Sequence, residues 1–342
     1  MIRPFLKWAG GKRQLLPALR LHYPVSFDRY IEPFLGSGAV FFDLCETRRL
    51  AGRRVELFDL NPDLIGCYRA VRDRTEDVIA ALDDLAAQHQ KRGAECYYDV
   101  RDRRFNPLRA GKTNGTDGLD GAYTPELAAM FIYLNRTGFN GLYRLNRGGE
   151  FNVPAGRYEN PRICDADHLR AIARVLRGRG VLLERRPFDH AIERAGAGDF
   201  VYCDPPYAPL SATSQFAHYT AGGFTPFDHV RLHQAVVDAA ARGALIVMSN
   251  SSAPQITAAY TGYAARRSGL RVERVPARRA INSRASRRGP VDELIISNSR
   301  AVKARAASDR VEALAASDSV QKMSPMLKME LRHQPSRRAS GS

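Results

Sequence analysis

The sequence predicts an α/β protein, a mostly parallel sheet interrupted by a largely helical insert. Three observations carry this reading. In residues 29–72, YIEPFLGSGAVFFDLCE and VELFDLNPDLIGCYRAV each run from an apolar strand-like stretch through a Gly or Asn-Pro turn into a helix-like stretch. The same alternation resumes over 166–299. Between them, 73–165 lacks strand-like runs and is dominated by helical periodicity and Gly/Asn-rich turns.

Taken in order, residues 2–24 read as a turn and a short helix. Strand, glycine loop, helix, strand and helix follow over 29–72. An Ala/Leu/Asp-rich helix is expected at 75–90 and a second at 95–104. The segment 109–123, with GKTNGTDGLDG at its heart, reads as an inserted surface loop. A helix near 124–136 precedes NRTGFNGLYRLNRGGEFNVPAG, which is dense in Asn, Gly, Arg and aromatics. The alternation then gives helix 166–178, strand 180–185, helix 189–195, strand 199–203, helix 226–242, strand 244–250 and helix 253–260. Hairpin-like strands near 270–276 and 291–298 complete it. The organisation expected is a split domain, 1–72 with 166–299, an insert at 73–165, and a basic tail at 300–342.

Composition narrows the function. The chain has 342 residues, 44% of them hydrophobic, enough to bury a sizeable core. No apolar run approaches the ~18 residues of a membrane span, and the N-terminal MIRPFLKWAGGKRQ lacks the apolar stretch of a secretory signal. The five cysteines (Cys45, Cys67, Cys96, Cys164, Cys203) are scattered, which fits a reducing cytoplasm. Neither they nor the eight histidines show metal-ligand spacing, so no metal is expected. The formal net charge of +16 favours a polyanionic partner or an anionic membrane surface. Residues 264–290 concentrate it, with nine arginines (Arg266, Arg267, Arg271, Arg274, Arg278, Arg279, Arg284, Arg287, Arg288) against Glu273 alone. The tail is basic, rich in Ala and Ser and free of aromatics, so it reads as disordered or weakly helical and dispensable.

Asp204-Pro205-Pro206-Tyr207 is the sharpest local signal. It follows the buried-strand pattern Phe200-Val201-Tyr202-Cys203, placing it at a strand's carboxyl end, where open α/β sheets bind ligands. Two prolines fix two φ angles and remove two N–H donors. What remains is a rigid lip of acceptors, the Asp204 carboxylate and backbone carbonyls, beside the aromatic face of Tyr207. That set suits an exocyclic amine, whose two hydrogens need acceptors and whose nitrogen lone pair must be freed from the ring to attack an electrophilic carbon. The tetrapeptide alone fits a Pro-Pro turn capping a strand equally well.

The other motifs are weaker singly. Glu32-Pro33-Phe34-Leu35-Gly36-Ser37-Gly38 puts glycines between strand and helix, where backbone can approach a ligand closely. The third glycine of a dinucleotide fingerprint is missing from GSGAVF, which points to a different nucleoside cofactor. Asp59 ends the next strand, positioned to accept from ribose hydroxyls, or simply to open the Asn61-Pro62 turn. Phe5-Leu6-Lys7-Trp8-Ala9-Gly10-Gly11-Lys12 holds the single tryptophan. It is no P-loop, because Arg13 follows Lys12, and read alone it fits a core Trp with surface lysines.

In their order, FLKWAGGK, EPFLGSG, FDLN, YLNRTGFNGLYR, FNVPAGRY, CDPPYAPLSAT, SN and VDEL resemble the Dam-type DNA adenine methylases over roughly residues 2–298. The resemblance implies a Rossmann-like methyltransferase sheet carrying an inserted, mostly helical target-recognition domain with a β-hairpin. It implies S-adenosyl-L-methionine as cofactor, duplex DNA as partner, and N6 methylation of an adenine flipped from GATC. Trp8, Lys12, Phe34, Gly36, Gly38, Asp59 and Asp204 match cofactor positions, with Lys12 near the methionine carboxylate. Asp204, Pro205, Pro206 and Tyr207 match the catalytic loop. Phe139, Asn140, Leu142 and Arg144 match the hairpin entering the major groove, and Pro154 and Tyr158 match further DNA contacts. Phe139 and Tyr143 occupy hairpin positions of variable character. Arginine can bond guanine O6 and N7, and leucine can pack on a thymine methyl; without the resemblance this segment reads as a decorated surface hairpin. The Arg-rich 264–290 segment should contact phosphates, and with ~6–10 such contacts affinity would fall ~10³–10⁵-fold between 50 and 200 mM salt.

A cytoplasmic, monomeric, metal-free enzyme is therefore expected. Two rivals stand beside it. One is a methyltransferase acting on another amine, such as a glutamine side chain, where Asn usually replaces the Asp of the lip. The other is an inactive, sequence-specific DNA-binding relative.

Overall fold

Strands form where apolar residues run between turn residues, and seven of them make one sheet in the order β3-β2-β1-β4-β5-β7-β6. The computed structural model describes residues 2–113, 123–208, 224–278 and 290–299. The strands are β1 (Arg29–Glu32), β2 (Arg54–Asp59), β3 (Val181–Arg185), β4 (Asp199–Cys203), β5 (Leu245–Ser251), β6 (Arg271–Arg278) and β7 (Pro290–Ser297). The first five are parallel; β7 runs antiparallel between β5 and β6. The chain leaves β1 for β2 on one side and reaches β4 on the other, so the carboxyl ends of β2, β1 and β4 stand side by side at a topological switch point.

Neighbouring residues on each strand point to opposite faces, and two cores follow. Tyr30, Leu57, Phe200, Tyr202 and Val247 join one, and Ile31, Phe58, Val201, Cys203 and Met248 the other. The chain begins with a 3-10 turn (Lys12–Gln14) and α1 (Leu16–Leu19), and α2 (Ala39–Glu46) follows β1. The first core is covered by α2, α3 (Pro62–Asp73), α4 (Thr75–Arg92), α7 (Pro125–Thr137) and α8 (Ala166–Leu176). The second is covered by α9 (Phe188–Ile192), α10 (Pro226–Ala241) and α11 (Pro254–Thr261). Local chemistry starts these helices. Asn61 accepts from the backbone of Asp63 and Leu64 with Pro62 at the first position of α3, Thr124 caps α7, and Thr225 with Asp228 forms a capping box on α10. At the amino edge of the sheet Arg29 reaches Glu56 at 3.0 Å and Asp199 at 2.9 Å, clasping β2, β1 and β4.

One sequence expectation needs correction. The loop placed at 109–123 is helical at its start: α5 (Ala94–Asp99) continues through a π-helical turn (Val100–Phe105) into α6 (Asn106–Thr113). Arg109 is buried there, because an acidic partner distant in sequence, Asp63, receives it; the rest of that expectation, 114–122, lies outside the described residues. The Arg-rich segment begins on a short helix, α12 (Tyr263–Arg267), which carries Arg266 and Arg267, and runs on into β6. Of its nine arginines, Arg279, Arg284, Arg287 and Arg288 fall outside the described residues, as does the tail from 300 onward.

Candidate functional site

The carboxyl edge of the sheet gathers three acids from three adjacent strands, Glu32, Asp59 and Asp204. Asp59 ends β2, and its two oxygens accept from the backbone N–H of Asn61 at 2.9 Å and of Gly36 at 3.0 Å. The acid thereby fixes the glycine loop. Gly36 and Gly38 adopt φ of +48° and +66°, which residues with a Cβ avoid. A Cβ on Gly36 would also stand 3.1 Å from the Trp8 ring, so loop and indole are in direct contact. Phe34 faces the other way, stacked on Phe188 at 5.4 Å and edge-on to Phe224 at 5.8 Å.

Asp204 follows β4 and its side chain is 22% exposed. Oδ1 receives the Lys12 ammonium at 2.9 Å and the Ser249 hydroxyl, from β5, at 3.0 Å. Burial raises the Asp204 pKa from its ordinary value, while Lys12 and Ser249 pull the other way. Lys12 also lies 4.6 Å from the centroid of the Tyr207 ring. The Tyr207 hydroxyl donates to Glu293, on β7, at 2.8 Å, and burial keeps that phenol protonated well past its ordinary range. Pro205 is buried and Pro206 exposed. The lip is thus a carboxylate with fixed partners beside a ring anchored at its far end.

Direct contacts therefore join Trp8, Gly36 and Asp59 in one group and Lys12, Asp204 and Tyr207 in another, both at the carboxyl edge. Residues without an assigned role in the sequence complete the set. Glu32 is buried, accepts from the Tyr30 hydroxyl at 2.8 Å, and is pushed well above the carboxylate range by burial, with Asp204 adding to the shift. Ser249 and Glu293 belong to the SN and VDEL motifs; their motif membership was visible, their partners were not. The donor set suits a ligand with a nucleoside and a charged end: aromatic faces at Trp8 and Tyr207, a glycine-lined approach, and opposite charges on Lys12 and Asp204. Among the described residues no group of His, Cys, Asp or Glu is arranged to hold a metal ion, and no helix is long and apolar enough to cross a membrane.

The segment 138–158 forms a hairpin held by isolated bridges, Gly138↔Ala155 and Leu145↔Phe151, rather than by full strands. Asn140 takes a left-handed φ of 54° at its entry. Asn135, buried at the end of α7, accepts from Lys7 N at 2.8 Å and donates to Lys7 O and Gly141 O at 2.7 and 3.0 Å. The return limb is gripped from α5, the π turn and α6. Tyr97 and Arg101 donate to Val153 O at 2.8 and 2.9 Å, and the Asn106 amide pairs with the Phe151 backbone at 3.0 and 2.8 Å. The widened π turn, with its i→i+5 spacing, brings Arg101 and Asn106 to one side. Phe139, Asn140, Arg144, Pro154 and Tyr158 are exposed and Leu142 half-buried. Arg144 is steadied by Asn152 Oδ1 at 2.7 Å, and the Lys7 ammonium sits 4.2 Å from the centroid of the Tyr158 ring.

Sheet order defines a doubly wound α/β protein, and the candidate site lies at the carboxyl edge of the sheet, where proteins of this class take their ligands. Residues 8–274 match the family model of D12 class N6 adenine-specific DNA methyltransferase, and the chain belongs to that family. It is 37% identical over 297 residues to the type II methyltransferase M1.LlaDCHI of Lactococcus lactis subsp. cremoris, covering 87% of this chain and 95% of that one. It is 36% identical over 307 residues to the type II methyltransferase M.MjaIII of Methanocaldococcus jannaschii, with 87% and 99% covered. To the DNA adenine methylase of Escherichia coli K12 it is 35% identical over 297 residues, with 86% and 94% covered. The chain is an adenine-specific DNA methyltransferase.

Proposed function

We propose that this enzyme transfers a methyl group from S-adenosyl-L-methionine to N6 of an adenine flipped out of duplex DNA, within GATC. The observation that carries the reading is the lip itself: Asp204 held by Lys12 and Ser249, with Tyr207 pinned to Glu293 beside it. The cofactor, when bound, supplies an electrophilic methyl on a sulfonium. Trp8, Lys12, Phe34, Gly36, Gly38, Asp59 and Asp204 would hold it. The Asp204 carboxylate has lone pairs beyond the two occupied by Lys12 and Ser249. One takes an N6–H, and the Pro205 carbonyl takes the other. Both bonds draw the nitrogen toward the geometry in which its lone pair can attack. Tyr207 stacks on the base, and its hydrogen bond to Glu293 stops the ring from turning away. As nitrogen gains its bond to the methyl carbon, the bond from that carbon to the cofactor's sulfur would break and leave its electron pair on a neutral thioether; the nitrogen must then shed a proton, and a carboxylate whose pKa burial has raised is the better acceptor.

Flipping follows from the site, because a lip enclosing an amine from several sides cannot reach one inside the stack. We assign cofactor and catalysis to 1–72 with 166–299, and DNA recognition to 73–165. Arg144 and Leu142 read base edges, Phe139, Asn140, Pro154 and Tyr158 line the same hairpin, and the exposed Arg266, Arg267, Arg271 and Arg274 meet phosphates. The motifs TGFNGLYR and FNVPAGRY support GATC as the target. The test is incubation of plasmid DNA with the enzyme and S-adenosyl-L-methionine, then digestion with nucleases that discriminate methylated from unmethylated GATC. Protection at GATC is expected; methyl incorporation elsewhere, or none, would overturn the reading.

A further inference from the structure

Beneath the hairpin lies a buried polar cluster that the proposed chemistry does not use. Asp63, in the first turn of α3, is fully buried, four residues beyond Asp59. Its Oδ2 accepts from Arg109 Nε at 2.7 Å and from the Tyr143 hydroxyl. Its Oδ1 has no hydrogen-bond partner among the described residues. Arg109 also donates to the carbonyl of Gly149, at the hairpin tip. One ion pair thus holds the hairpin at two places, Tyr143 on the outgoing limb and Gly149 at the turn.

Tyr143 has a second contact. Its ring stacks on Trp8 at 5.6 Å with planes 24° apart. At the edge of its five-membered ring the indole meets Gly36, where an added Cβ would come within 3.1 Å. Trp8 therefore touches both the hairpin and the loop that Asp59 fixes. Tyr143 sits between Leu142 and Arg144, the two residues assigned to base reading. A buried ion pair adds little net stability compared with apolar packing of similar volume, yet it fixes geometry.

We propose that Tyr143, oriented by the Asp63–Arg109 pair, is a positioning residue through which seating of the hairpin on DNA sets Trp8 over the cofactor pocket. Duplex binding and cofactor binding then favour each other, by the same factor in both directions. This rests on the cofactor and DNA assignments above.

The test measures the dissociation constant of sinefungin, a cofactor analogue with no transferable methyl, with and without a saturating GATC duplex. Wild type, Tyr143→Phe and Tyr143→Leu are compared. The Phe variant keeps the stack and removes the hydroxyl without stripping Asp63 of Arg109; the Leu variant removes the stack. In wild type the duplex is expected to tighten sinefungin about tenfold, within the range typical of coupled sites. Tyr143→Phe should cut that factor to roughly threefold and Tyr143→Leu to about one, each still binding duplex and sinefungin separately. A side chain that only supports the fold would lower the melting temperature and leave the factor alone. An unchanged factor in Tyr143→Phe, or no coupling in wild type, overturns the proposal. Failure of wild type to bind sinefungin or duplex at all overturns the functional reading and this proposal with it; the separate affinities tell the two failures apart. Should Tyr143→Leu fail to fold, Tyr143→Phe decides.

Discussion

At the carboxyl edge of the sheet, Asp204 and Tyr207 follow a strand buried along its whole length; Asp204 accepts from Lys12 and Ser249, and Tyr207 donates to Glu293. In the hairpin, Phe139 and Tyr158 are 48% and 38% exposed, and the backbone that carries them has two isolated bridges. The hairpin is nonetheless fixed, by side chains that reach its backbone from below: Asn135, Tyr97, Arg101, Asn106 and Arg109. The proposed lip thus rests on a buried strand end with side-chain partners from neighbouring elements, and the proposed recognition surface on buried and half-buried polar side chains that reach its backbone. The difference matches the two proposed tasks. A lip that must orient one amine needs rigidity at a single point, whereas a surface that meets base edges must leave its reading groups in solvent until DNA arrives.

The comparison can be broken at either end. Asp204→Ala should produce the largest effect, a loss of about 10²–10³-fold in single-turnover methyl transfer, with duplex affinity in gel-shift titrations largely retained because no hairpin contact passes through it. Near-normal transfer by this variant would remove the lip from the chemistry.

Asn135→Ala attacks the recognition side. It leaves the Lys7 N–H and the Lys7 and Gly141 carbonyls without their partner, and at about 1–3 kcal/mol for each buried group left unsatisfied a loss of roughly 3 kcal/mol in denaturant unfolding is expected. Duplex affinity should drop with it. If affinity survives intact in the folded variant, the hairpin does not depend on this clamp.

Arg144→Ala should be smaller and more selective, relaxing discrimination at one base pair by about 1–3 kcal/mol. Transfer rates on duplexes substituted one position at a time will show it, and equal discrimination at every position would strip Arg144 of its role.

Ser249→Ala is the mildest. The Ser249 hydroxyl favours the charged form of Asp204 and so lowers its pKa. Activity requires the carboxylate, so it is present above that pKa and lost as pH falls through it. Without Ser249 the pKa rises, and the acid limb of the turnover profile should move to higher pH while the plateau stays close to wild type. A limb that stays put or moves down would show that another group controls it.

Much of the sheet was legible in the sequence because strand, turn and helix signals are local. YIEPFLGSG and VYCDPPY each carry strand, turn and ligand loop within a few residues, and helix starts at Asn61-Pro62, Thr124-Pro125 and Thr225-Pro226 announce themselves through caps. The placing of the motifs along the sheet's carboxyl edge followed from the alternation. What escaped depends on distant partners. Arg109 looked like part of a surface loop because GKTNG follows it, while the residue that buries it, Asp63, lies 46 positions away. Which carboxylate Lys12 meets within the chain, Asp204 at 2.9 Å, has no local sign either. The π turn gave no local sign, since its spacing makes sense only against the hairpin's return limb. Glu32 was read as part of a glycine motif, and its burial next to two other acids emerges only when three strands are laid side by side.

The central claim is that the Asp204 carboxylate receives the amino group of an extruded adenine. A crystal structure of the enzyme with sinefungin and a GATC duplex tests it most directly. The account predicts the target adenine outside the helix, N6 within hydrogen-bonding distance of Asp204 and the base lying on Tyr207. An adenine still stacked in the duplex, or flipped with N6 directed away from that carboxylate, would contradict it.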